Sequence, residues 1–132
     1  MSIALSTMRS ALCRLYGNFE SGTTTAAGLA NGLSVVDGNL GYHDDDQFNA
    51  HWLLITSLLQ SGQERYIDDF ATGSGLLTPI TAFGGQILSG TTYEILPWAS
   101  AEITRALNYA AQTIYPTLYK SVVDDSIIIN NW

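Results

Sequence analysis

Cysteine, proline and positive charge are all scarce in this chain, with one, three and five residues respectively out of 132, and each scarcity closes off a class of function. With Cys13 alone, no intramolecular disulfide and no thiolate metal cluster can form within one chain. Its helical, apolar neighbourhood marks it as an inert core thiol. Five basic residues against twelve acidic ones leave a net charge of −7, which repels phosphate and supplies too few cations for a nucleic-acid footprint. No direct DNA or RNA contact is expected. Charged residues make up 13 % of the chain, about half the usual share, so the surface must be largely Ser, Thr, Gly, Asn and Gln, the kind that neighbours often cover. The long uncharged stretch over residues 71–93 is broken by Gly, Pro, Ser and Thr and cannot be a spanning helix. Arg9 interrupts the apolar start too early for a secretory signal. Neither a membrane span nor a leader is expected.

What is present is a strand-rich middle between two helix-like ends. Leu5, Met8, Leu12 and Leu15 recur at helical spacing, with Arg9 off that stripe, and Gly17 provides a stop. From Gly22 the pattern turns extended through Thr23, Thr24 and Thr25, then through Leu33 to Val36, ending at the turn pair Asp37-Gly38. Trp52 to Thr56 is apolar on both alternating faces, as in a central strand covered from both sides. Arg65 to Phe70 reads as its hairpin partner, Gly73-Ser74-Gly75 as the next reversal, and Leu76 to Thr78, Gln86 to Leu88 and Thr91 to Leu96 as further short strands. Ser100 reads as the cap of a second helix with a buried stripe of Ile103, Leu107, Ala110 and Ile114, which Pro116 should stop or kink. The expected fold is mainly β with flanking helices: a small β-sandwich or barrel of six to seven short strands plus an N-terminal and a C-terminal helix. Residues 1–120 read as a single β-rich domain, and 121–132 as an extended segment serving as a contact arm or the start of a further domain.

The polar concentration is His43-Asp44-Asp45-Asp46 followed by His51, with oxygen and imidazole donors suited to Ca²⁺ or Zn²⁺. An EF-hand loop is excluded, because counting from Asp44 its sixth and twelfth places hold Asn49 and Ile55 instead of Gly and a carboxylate. His43, Asp44, Asp46 and His51 are the weak metal candidates, set against the simpler reading of a solvated acidic loop. No G-x-S-x-G element, phosphate loop or dinucleotide glycine pattern occurs, so no catalytic residue and no cofactor is expected.

The order of short motifs nevertheless resembles a known family, the N-terminal domains of tailed-bacteriophage virion structural proteins found in neck, tail or fibre components. The resemblance runs from the first helix with its Leu15-Tyr16-Gly17 end, through Val35-Val36-Asp37 and Asp44-Asp45-Asp46, to Gly90-Thr91-Thr92-Tyr93-Glu94-Ile95. It continues through Ala106 to Ala110 and Tyr115-Pro116-Thr117-Leu118-Tyr119. It implies a non-enzymatic component of the virion, assembling as a symmetric homo-oligomer and joining other proteins of the neck, tail or capsid, with no membrane partner. The expected contact residues are Ile127, Ile128, Ile129, Trp132 and Trp98. The competing reading is a carbohydrate- or receptor-binding module in which exposed tyrosines or Trp98 stack on sugar rings.

Overall fold

A computed structural model describes residues 4–17 and 19–118. In chain order the elements are helix α1 (Leu5–Leu15), strands β1 (Glu20–Thr23) and β2 (Val35–Val36), a 3₁₀ turn (Gly38–Leu40), strands β3 (Trp52–Ile55), β4 (Glu64–Ala71), β5 (Leu76–Pro79) and β6 (Thr92–Leu96), and helix α2 (Ser100–Leu118). The strands form one antiparallel sheet in the order β1-β6-β3-β4-β5-β2. The sheet curls into a half-barrel, and a single bridge between Ala26 and Val36 brings its two edges together. The barrel form of the expectation therefore holds, with six strands in one sheet. Gln86 to Leu88, expected as a strand, is loop: Ile87 is buried and its carbonyl accepts the Gly28 N–H at 2.9 Å, without a ladder partner.

β3 is central because both of its faces are apolar. Leu53 and Ile55 point into the barrel with Val35, Phe70, Tyr93 and Ile95, while Leu54, beside the partly buried Trp52, joins Leu96, Cys13 and Ile103 under the helices. At roughly 1.5–3 kcal/mol for each fully buried Leu or Ile, this one strand anchors two cores at once. On β4, Ile67 and Phe70 are both buried although three residues apart, which straight alternation forbids. A register shift between Ile67 and Asp69 resolves the conflict and leaves Asp68 and Asp69 both exposed.

α1 docks with a different face from the one its periodicity predicts. Cys13 is fully buried and Arg9 lies inward, its Nε donating to Glu94 Oε2 at 2.8 Å, with side-chain exposures of 11 % and 12 %. Leu5, Met8 and Leu15 are exposed, Leu15 by 83 %, and Leu12 alone of the expected stripe packs against the sheet-side cluster. The physical account is electrostatic: Glu94 sits on the outer face of β6, and a largely buried carboxylate requires a countercharge, which Arg9 supplies. Gly17, at φ +78°, ends α1 as expected. The α2 cap also differs. Ala99 accepts the first helical bond, from Ile103 N–H at 3.1 Å, and the Ser100 amide donates to Glu64 Oε1 at 2.7 Å, a carboxylate set against a helix N-terminus. α2 continues two residues past Pro116, to Leu118.

Inside the barrel lies a buried polar pair of two side chains. Tyr93 Oη donates to Asp37 Oδ2 at 2.7 Å, and Asp37 Oδ1 accepts Asn39 N–H at 3.0 Å, capping the 3₁₀ turn. Burial, followed by the Asp37 hydrogen bond and charge, pushes the Tyr93 phenol far above its ordinary value. Two glycines make room for this pair. A Cβ on Gly22 would stand 2.6 Å from Tyr93 Oη, and one on Gly75, at φ +60°, would stand 1.9 Å from the Asp37 carbonyl oxygen.

Candidate functional site

Antiparallel pairing sorts the loops to two ends. Residues 24–34, 56–63 and 80–91 leave the sheet at one end, and residues 37–51, 72–75 and 97–99 at the other. The second end carries the acidic loop. Asp46 and Ala50 adopt φ +63° and +65°, and their N–H groups donate to Phe70 O at 3.1 Å and Ile67 O at 3.2 Å, stapling the loop to β4. Phe48 plugs the barrel mouth, with ring centroids 4.7 Å from His43 and 4.8 Å from Phe70.

The four metal candidates are held apart by these contacts. His43 Nδ1 pairs with Gln47 Oε1 at 3.1 Å, and its Nε2 faces Glu20 Oε2 at 3.3 Å. His51 Nδ1 meets the Asn49 carbonyl oxygen at 3.1 Å. Asp46 Oδ1 accepts from Asn49 Nδ2 at 2.8 Å, while the exposed Asp44 donates its own N–H to Gln47 Oε1 at 3.2 Å. Among the described residues no three His, Cys, Asp or Glu side chains converge where they could hold a metal ion. The cavity beside them, about 120 Å³, is lined in part by Glu20, His43, Gln47 and His51. The loop does impose a like-charge strain. The carboxyl of exposed Asp69 is raised by partial desolvation first, then by Asp46, Asp45 and Asp68.

The opposite end is uncharged throughout its three loops, yet Leu29, Leu58, Leu59, Ile80 and Leu88 are exposed there, Leu59 by 88 %. Hydrogen bonds from Gln86 Nε2 to Gly28 O (2.7 Å), Gly84 N–H to Gln63 Oε1 (2.9 Å) and Thr92 N–H to Ser57 Oγ (2.8 Å) tie the loops together.

A second apolar surface lies on the helices. Trp98, 46 % exposed, meets Tyr16 edge-on at 5.3 Å, and the two flank a groove of about 300 Å³ with Leu12, Glu102, Ile103 and Ala106. Of the stripe expected to be buried on α2, Ile103 is buried and Leu107 partly so, but Ala110 and Ile114 are exposed. Residues 108–114 are exposed without exception, Tyr109 by 72 %, and no charged residue occurs between Arg105 and Lys120. Of the expected contact residues, Trp98 is thus surface-exposed, whereas Ile127, Ile128, Ile129 and Trp132 lie outside the described residues. Sequence reasoning missed the far half of α2 and the leucine-bearing loop end, although their charge-free runs were the available signal.

No protein-family model matches the chain, and no curated protein matches it. A solved structure described as "Virion of native gene transfer agent (GTA) particle" aligns at 15 % identity with a TM-score of 0.46, over 85 % of this chain and 43 % of that one. The chain spans less than half the length of that neighbour, and the likeness is too distant to establish a shared fold.

Proposed function

We propose that this protein is a non-enzymatic structural component of a bacteriophage-type virion, assembling as a symmetric homo-oligomer that joins neck, tail or fibre parts through other virion proteins. Residues 1–120 are the assembling domain, and 121–132 continue it as a contact arm or the start of a further domain. The virion assignment rests on the ordered sequence motifs. The assembly role rests on one observation: the α2 stripe that docks on the sheet at Ile103 and Leu107 continues through Ala110 and Ile114 with none of the described residues covering it. A solvent-facing helix is ordinarily charged on that side, and this one is not. Mass spectrometry of purified particles tests the location, with a fixed copy number per particle expected and absence from the particle refuting it. Light scattering of the purified chain tests assembly, where a monomer at every concentration would refute it.

One observation favours the second reading. The Tyr16–Trp98 pair is an exposed aromatic platform of the kind that stacks on sugar rings. Glycan-array binding lost on Trp98→Ala would support it, and silence across the array would dismiss it.

A further inference from the structure

Resting on the assembly reading above, we infer that copies of this chain meet through the far half of α2, which packs against the same segment of neighbouring copies as a short helical bundle. The first ground is the marginal stability of the helix as it stands. Past Leu107 it runs to Leu118, about 17 Å at 1.5 Å per residue, and residues 108–114 of that length are exposed. Most helical stability in proteins comes from packing an amphipathic face, and residues 108–114 have no such packing among the described residues. A fully exposed helix relies on i,i+4 ion pairs, and here the one described pair, Arg105 with Glu102 at 3.0 Å, lies before the exposed half.

The second ground is the pattern. Ile103, Leu107, Ala110 and Ile114 are spaced four, three and four residues apart, the a/d rhythm of helices that pack along one seam. Taking Leu107 as an a position, the flanking e and g places hold Ala106, Ala111 and Thr113, while Asn108, Tyr109 and Gln112 fall on the outer side. In a bundle the flanking places usually carry the charges that select a foreign partner. Small uncharged residues there remove that selection and let identical backbones approach.

The third ground is electrostatic and chooses a copy of this chain as the occupant. With a net charge of −7 and the Asp44 to Asp46 loop at one end of the barrel, two copies meeting there would bring carboxylate against carboxylate. The far half of α2 carries no charge, so copies can align along it around a symmetry axis without that cost.

The test is light scattering on the full chain and on three variants. Ala110→Glu with Ile114→Glu places carboxylates on residues exposed in the single chain, where Glu is a good helix former and the monomer fold is unaffected. Leu59→Glu alters the loop end as a control. Ala110→Cys reports proximity, because buried Cys13 does not compete for oxidation. The inference expects wild type and Leu59→Glu to be oligomers of one mass. The double Glu variant is expected to be a monomer that still unfolds cooperatively, with a midpoint that no longer depends on protein concentration as that of wild type does, and Ala110→Cys to form an interchain disulfide. An oligomer that survives the double Glu change, or that Leu59→Glu dissolves, overturns the inference and leaves the assembly reading standing. A monomeric wild type overturns both.

Discussion

Replacing Tyr93 by Phe removes one oxygen atom and leaves Asp37, 2 % exposed, without its 2.7 Å donor inside the barrel. Asn39 N–H still serves Oδ1, so the loss is that of one charge-assisted hydrogen bond, about 2 kcal/mol. For a domain of this size the melting temperature should fall by roughly 6–10 °C at pH 7. The raised phenol adds a second, independent signature. Its folded-state titration lies above its unfolded one, so the stability it contributes is fully present below about pH 10. That contribution falls by about 1.4 kcal/mol for each pH unit above, as the unfolded chain releases the proton that the folded chain retains. Tyr93→Phe lacks this decline, and the other tyrosines titrate alike in both proteins. Urea unfolding at pH 7 and at several values above 10 should therefore show the gap closing as the solution becomes alkaline. A cycle with Asp37→Ala, which removes both carboxylate oxygens, should return a coupling of about 2 kcal/mol. A loss below about 0.5 kcal/mol, or a gap that stays constant through pH 11, would refute the reasoning.

Arg9→Met strands the Glu94 carboxylate under α1 and should cost about 3 kcal/mol in urea unfolding. Adding Glu94→Gln should recover most of that, and an unchanged single variant would dismiss the pair as an anchor of α1. Gly75→Ala drives a methyl to 1.9 Å from the Asp37 carbonyl oxygen at a left-handed φ, so a loss of at least about 2 kcal/mol is expected in thermal melts. Asp69→Asn should raise the melting temperature at pH 7 and leave it unchanged in acid. The wild-type carboxyl is raised, so it opposes folding only once pH has climbed through its titration. Cys13 is fully buried, with its thiol pushed up by desolvation, and should react with an aromatic disulfide reagent only as fast as α1 undocks. Rapid reaction in the native protein would contradict the packing.

β3 was legible because its apolar run alternates to both faces, and an uninterrupted run bounded by polar residues has few other homes. The β4–β5 reversal was legible from its glycines, and the end of α1 from Gly17. Periodicity located the apolar stripe of α1 but could not say that the helix is rotated so that Arg9, Leu12 and Cys13 dock. That decision depends on Glu94, 85 residues away from Arg9, and local pattern carries no information on such a pair. The same limit hid the Tyr93–Asp37 bond, which spans 56 residues. His43 and His51 are near in sequence, but Phe48 packs edge-on between their rings and each imidazole finds a local partner, an arrangement that spacing alone does not reveal. Of the sites proposed from sequence, Trp98 is exposed, whereas the α2 surface follows from the exposure of residues 108–114, where the helical stripe puts Ala110 and Ile114 in the core.

The bridge between Ala26 and Val36 has a consequence for how this protein behaves when crowded. The strands at the two margins of the sheet are four and two residues long, and the chain leaving β1 turns its Thr25 N–H onto the Val36 carbonyl oxygen at 3.0 Å. The two margins are thus short and meet at Val36, where the carbonyl oxygen is already taken by the chain leaving β1. Short edges of this kind are a poor template for an added strand, a protection that matters in a chain with so few charges to keep molecules apart.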